Sequence, residues 1–372
     1  MRIRVVEICR LDLVLLNALR TSVGEHGRRP VLIIRIITDE AEGFGECSAL
    51  GEPTYTEEYS DAAEAVLIDH LIPRLMRNSS DDLSVERRIS SLDAVRGHPM
   101  AKAAIEMALL DAELRAREIS LASYLGATQS NVPAGANISI GTPDEVIAAV
   151  AQTMDAGYQR IKCKIAPGHD LEVVRALREV YPKVVLSLDA NGAYDYDNPE
   201  HRFILRALDG FDLTAIEQPL APDDLLGHAR LAKDLETAIL LDESVTTLGM
   251  LRVAIVLGAC DGISVKPARV GGILIAAKMH ELCVDAGLHL AIGGMLETGI
   301  GRAAALAVGA LPGFDLPGDL GGSERYFSPD LTLPHELRNG QLIVPSGLGI
   351  GVTPLENVIA SARVRNRLFQ AS

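Results

Sequence analysis

Tryptophan is absent from this 372-residue chain, and all aromatic residues together make up 4% of it. That argues against a surface built of stacking platforms for sugars or single-stranded nucleic acid. Basic residues are also few, 35 against 50 acidic, for a net charge of −15 and a pI near 5.1. Such a surface repels polyanions, so nucleic acid and anionic membranes are poor partners. The five cysteines (Cys9, Cys47, Cys163, Cys260 and Cys283) are odd in number, and none has CxxC spacing. Neither a disulfide framework nor a zinc site is expected, and a reducing cytoplasm fits. No apolar run is long enough for a bilayer; the longest stretch, 288–316, is broken by Glu297, Arg302 and glycines. Glu7, Arg10 and Asp12 interrupt the first residues, which therefore lack the apolar core of a signal peptide. What is plentiful is apolar side chain, 48% of the chain, enough for a large core in two domains.

Two patterns divide the sequence. Residues 1–125 read as an α+β unit: β-rich runs at 2–16, 31–38 and 43–47, then helical patterns at 57–75 and 101–116 behind Pro99. Two polar, glycine-bearing segments, 17–29 and 50–57, are long enough to act as lids. From Val132 short β-rich runs at 136–140, 160–165, 184–188, 213–216, 238–241, 262–265 and 288–292 alternate with helical stretches such as 142–156 and 273–286. That rhythm predicts parallel βαβ units closing into a modified (β/α)7β TIM-like barrel over 126–324. Residues 325–372 are expected to return and complete the N-terminal capping domain, so the fold class is α/β.

Lys164, Asp189, Glu217, Asp242 and Lys266 each fall at or just past the end of a strand-like run, spaced by 25, 28, 25 and 24 residues. Five successive strands would each deliver one charged side chain to the C-terminal rim, where barrel enzymes gather their catalytic groups. Any one acid there reads equally well as a helix N-cap. Three in consecutive units, flanked by lysines, make a poor coincidence. Three converging carboxylates repel unless a cation neutralises them, and all-oxygen ligands select Mg²⁺ or Mn²⁺. In Lys162-Cys163-Lys164 the strand period puts both lysines on one face, where like charge near a bound metal depresses a lysine toward working pH as a base. Arg269, three residues past Lys266, would add positive charge that tunes it. A Schiff-base aldolase is the other reading of a barrel lysine, but it has no need of three carboxylates.

The segments RIKCKIAPG (160–168), LDANGAY (188–194), IEQPL (216–220), LDES (241–244) and VKPARVGG (265–272) resemble the enolase superfamily, in particular its muconate-lactonizing subgroup. The resemblance runs nearly the whole length. It implies Asp189, Glu217 and Asp242 as metal ligands, Lys164 and Lys266 as opposed acid/base groups, Lys162 as electrostatic helper and Asn191 as a supporting polar group. The mandelate racemase subgroup uses a histidine late in the barrel; here that region reads LAIGGML, and His289 falls early in the strand. GGMLETGIGR (293–302) and LPGDLGGSERYF (316–327) look like the o-succinylbenzoate synthase and N-acylamino acid racemase branch, a magnesium-dependent lyase or isomerase acting on a small carboxylate. Departures occur at Ala303–Ala305, where the branch usually shows His-Asn, at Phe327 in place of Trp, and in DANGAY for DANSAY; they bear on the acyl pocket. Tyr55, Gly293, Gly294, Met295 and Glu297 are the candidate substrate contacts. A dipeptide epimerase or cycloisomerase would keep the metal site and differ at the lids and near 293–297. A non-catalytic barrel would be expected to have lost one of the five charged groups. By analogy with the family, a homo-oligomer is expected.

Overall fold

The computed structural model describes residues 1–371 apart from 22, 23, 78, 80–82 and 317; the side chains of 18–26 also lie outside the described residues. Three antiparallel strands open the chain: β1 (Ile3–Thr21), β2 (Gly24–Thr38) and β3 (Glu42–Cys47). The sheet buries Val31, Leu32, Ile33, Ile34 and, past Arg35, Ile36, with helix α1 (Pro99–Ala116) lying against it. Contact is close since β3 offers glycine: a Cβ at Gly45 would sit 2.0 Å from the Ala104 carbonyl oxygen. Residues 17–29, expected as a loop, are mostly strand, with Leu19 opposite His26 and Thr21 opposite Gly24. The tip of this first candidate lid lies outside the described residues. The helix expected at 57–75 begins only at Ser60 and continues to Arg77 through a π-helical stretch, Leu67–Leu71.

Seven parallel strands follow in spatial order: β4 (Ala136–Ile138), β5 (Arg160–Lys164), β6 (Val185–Asp189), β7 (Ile216–Glu217), β8 (Ile239–Leu241), β9 (Gly262–Val265) and β10 (His289–Ile292). Each is joined to the next through a helix, and consecutive parallel pairing of this kind is the barrel topology. A capping box is present where Thr142 and Glu145 open the first of these helices, Pro143–Asp155. The stretch holding Asp315 and Asp319 closes the ring. Its Asp315, Leu316 and Asp319 amides donate to Leu290 and Ile292 of β10, and its Leu320 carbonyl accepts from Gly135, just before β4. The strand β11 (Arg363–Gln370) pairs antiparallel with β1, at the edge of the first sheet.

Two buried carboxylates from the N-terminal unit cap helices of the barrel. Glu106 of α1 accepts from the Ile273 and Leu274 amides at the start of α2 (Ile273–Ala286). Glu46 of β3 accepts from the amide and hydroxyl of Thr298 and from Gly301, at the start of α3 (Gly299–Gly309). Both satisfy amides that a helix start leaves without partners. The Gly271-Gly272 turn before α2 thus meets the protein's own anion, Glu106.

Burial pushes both carboxyls up, each to about 7. The folded chain therefore holds protons there that the unfolded chain releases near 4.5. Stability contributed at low pH is lost as pH rises from that value through about 7. The urea midpoint is expected to fall between about pH 5 and about pH 8, and Glu106→Gln to flatten the fall. An identical slope in the variant would contradict this.

Candidate active site

Strand register aligns the site. Lys164 pairs with Asp189 across β5 and β6, and Asp189 with Glu217 across β6 and β7, so the three stand in one row at the C-terminal rim. Lys162 lies two residues back on the same face as Lys164. Asp242 follows β8 and Lys266 follows β9. All six are buried.

Ammonium groups face the carboxylates directly. Lys164 donates to Asp189 at 2.7 Å and to the Asn191 side-chain oxygen at 2.7 Å. Lys162 donates to Glu217 at 2.7 Å and to Asp319 at 3.1 Å, with Asp189 3.4 Å away. Lys266 donates to Asp242 at 2.7 Å and to the Tyr55 hydroxyl at 3.0 Å. Tyr55 in turn donates to Asp242 at 2.9 Å, so the second lid, 50–57, rests on the site. Arg269 bonds the other Asp242 oxygen and donates to Tyr55 at 3.2 Å. The sequence places it as a charge tuning Lys266; the structure gives it a shared carboxylate with that lysine.

Lys162 and Lys266 both stand raised by the groups that face them, whereas the depressed lysine expected from the sequence is one beside a bound metal. Burial pulls each down, but for Lys162 the carboxylates of Asp319, Glu217 and Asp189 outweigh it. For Lys266 the opposing groups are Tyr55, Asp319, Glu217 and Glu243. Correspondingly, burial pushes Asp189 up while Lys164 and Lys162 hold it well below the usual carboxylate range. Sequence shows the like charges along one strand and cannot show the acids facing them.

Among the described residues no three acid, histidine or cysteine side chains gather closely enough to hold a cation as they stand. The donor set nonetheless suits one. Asp189, Glu217 and Asp242 offer only oxygens from three adjacent strands, each already faces a cationic group, and Glu217 Oε1 is buried without a hydrogen-bond partner among the described residues. Hard divalent ions prefer such oxygens.

The other predicted residues divide. Gly293 packs on the site: a Cβ there would lie 2.7 Å from Lys266 Cε, so glycine is what lets that lysine extend. Gly294 donates to Asp319 at 2.5 Å. Glu297 does not point at the lysines. Its carboxylate turns back to accept from the Met295 amide at 2.8 Å, and Met295 is itself buried. Asn191 links Lys164 to Glu243, donating to the latter at 2.8 Å.

Sequence reading missed four residues. Asp319 reaches Lys162 from the closing segment, and Asn137 on β4 donates to Asp319 at 3.4 Å. Glu243 partners Asn191, and Gln218 accepts from the Asp242 and Ser244 amides at 3.0 and 3.2 Å, holding the end of β8 in place. The signals lay inside quoted motifs, at the Gln of IEQPL, the Glu of LDES and the Asp of LPGDL. A cavity of about 600 Å³ opens beside the site, lined by Asn137, Ser139, Leu296 and Tyr326 among others. Asn137, Leu296 and Tyr326 also line a small recess containing Asp319, so the cavity borders the lysine network.

The closed parallel ring, the N-terminal sheet and the rim of paired lysines and acids place the chain in a known group. It matches the "Enolase C-terminal domain-like" family over residues 145–358 and the "Mandelate racemase / muconate lactonizing enzyme, N-terminal domain" family over residues 6–126. The chain belongs to the mandelate racemase/muconate lactonizing enzyme family and is an enzyme of the enolase superfamily. Among its relatives is the N-succinylamino acid racemase of an Amycolatopsis species, 44% identical over 362 residues that span 96% of this chain and 97% of the relative. The o-succinylbenzoate synthase of Bacillus subtilis is 37% identical, covering 95% of each chain. A crystal structure of an enolase superfamily member from Listeria innocua superposes with a TM-score of 0.94 at 35% identity, over 100% of both chains. No helix among the described residues is long and apolar enough to cross a membrane.

Proposed function

We propose that this enzyme removes a proton from the carbon beside a carboxylate with one buried lysine and can return it with another, acting on N-succinylamino acids, on the cyclohexadiene precursor of o-succinylbenzoate, or on both. One observation carries the reading. Lys164 ends the second strand of the ring and Lys266 follows the sixth, so they stand on opposite walls, with the three carboxylates on the strands between.

Asp189, Glu217 and Asp242 would hold a divalent ion, Mg²⁺ or Mn²⁺, which when bound supplies an electrophile for the substrate carboxylate and for charge that develops on its oxygens. The remaining chemistry belongs to the chain. Burial works to lower Lys162 and Lys266, and facing carboxylates hold them up. Neutralising Asp189, Glu217 and Asp242 removes part of that support and lets burial draw a lysine down toward a working base. Lys162, between Glu217 and Asp319, keeps positive charge beside Lys164. Gln218 and Arg269 fix Asp242, and Tyr55 closes over Lys266, excluding water. A base on each face of the α-carbon inverts it; where a hydroxyl leaves from the neighbouring carbon, one lysine takes the α-proton and passes it to the departing oxygen, which leaves as water, while the other steadies the enolate. The cavity beside Asn137 has room for the acyl arm.

Incubation with Mg²⁺ and N-succinylamino acids in D₂O should erase the α-proton signal by NMR as the enantiomers interconvert. Dehydration of the cyclohexadiene carboxylate is then assayed separately. No exchange in any N-acyl substrate, with metal bound, would sink the assignment and turn attention to dipeptides and muconate-type lactones.

A further inference from the structure

Arg29 closes the segment that reads in the sequence as the first lid, yet its side chain is 1% exposed. Its guanidinium has five N–H groups, and each finds a backbone carbonyl. Nε donates to Leu296 at 3.2 Å; Nη1 to Pro30 at 2.9 Å and Ala49 at 2.7 Å; Nη2 to Ser48 at 2.6 Å and Met295 at 3.2 Å. No carboxylate is among these partners. Burial lowers Arg29, and Glu46 and Glu297 offset it only by their charge nearby. A cation placed where burial opposes it, without a paired anion, is a poor source of stability. What the planar fork accomplishes is geometric: it gathers three separate pieces of backbone.

Two of those pieces border the site. Ser48 and Ala49 lead into the lid that carries Tyr55, which bonds Asp242 and Lys266. Met295 and Leu296 belong to the loop after β10, whose Gly293 packs on Lys266. Leu296 is held in the left-handed region, at φ 56°, which a leucine adopts only when its surroundings fix it. Its side chain lines both the cavity and the recess.

We infer that Arg29 is a positioning residue that latches the 50–57 lid to the 293–297 loop, so that both walls of the substrate opening move as one unit and hold the substrate together. The geometry stands alone; the substrate named for the kinetic test rests on the proposed function. Lysine cannot replace the latch, because its three donors radiate from one nitrogen.

Arg29→Lys is expected to fold, to raise KM for an N-succinylamino acid at least about 10-fold and to change kcat by less than about 3-fold, since uniform binding is lost rather than proton transfer. A cation that only stabilised the fold would leave KM unchanged in the lysine variant. Hydrogen exchange on the unaltered enzyme provides a test free of any folding defect. The amides of 48–57 and 293–297, far apart in sequence, should open with one shared free energy, and in Arg29→Lys both should exchange at least about 10-fold faster while 262–265 stays protected. Independent opening of the two segments, or a folded lysine variant with wild-type KM, would overturn the latch. If no N-acyl substrate turns over at all, the proposed function fails, and the exchange experiment still decides the latch.

Discussion

Lys164→Ala and Lys266→Ala should each slow racemisation of an N-succinylamino acid by at least about 1,000-fold, within the usual range for losing a positioned acid or base. Inversion needs a proton taken from one face and delivered to the other, and the two lysines stand on opposite walls of the ring. Removing either leaves the opposite face served. The residual reaction is therefore expected to be deuterium uptake with retention, in one enantiomer for Lys164→Ala and in the other for Lys266→Ala. Chiral chromatography coupled to NMR in D₂O separates the two readouts. Neither variant should unfold: Asp189 keeps Lys162 3.4 Å away, and Asp242 keeps Arg269. Equal racemisation in wild type and either variant would remove that lysine from the mechanism.

Removing divalent metal with a chelator should abolish exchange, and Mg²⁺ or Mn²⁺ should restore it. Glu217→Gln should then weaken Mn²⁺ binding, read by electron paramagnetic resonance, by about 100-fold or more. The substitution preserves shape and deletes charge from the middle of the three carboxylates, the one with a buried oxygen that nothing among the described residues satisfies. It leaves Lys162 its contact with Asp319, so the rim should keep its form. Activity that survives exhaustive chelation, or a glutamine variant that binds Mn²⁺ as wild type does, would remove these carboxylates from cation binding.

Much of the rim was legible because a barrel repeats. One βα unit takes 24 to 28 residues here, so charge recurring at that interval had to arrive at one end of consecutive strands. Lys162 and Lys164 were legible from the period of two. Asp319 was not, because it sits on the irregular segment that closes the ring, where no strand pattern announces it. Its contact with Lys162 spans 157 positions. The acids that hold Lys162 and Lys266 up come from other strands, which the pattern of a single strand cannot show. The β1–β2 ribbon hid behind its composition: Gly24, Gly27, Arg28 and Arg29 read as loop, although an exposed two-stranded ribbon tolerates polar residues on both faces. Arg29 itself, a polar residue beside a proline, gave no sign of its burial.

The two helix caps that cross between the N-terminal unit and the barrel bear on how such proteins can be recombined. Glu46 and Glu106 lie in the first third of the chain, whereas the amides they satisfy lie beyond residue 270. A chimera joining this barrel to a relative's N-terminal half inherits the fold's stability only if that half presents acceptors at the same two points. Lid grafts between relatives should therefore exchange residues 50–57 alone and leave β3 and α1 with their native barrel.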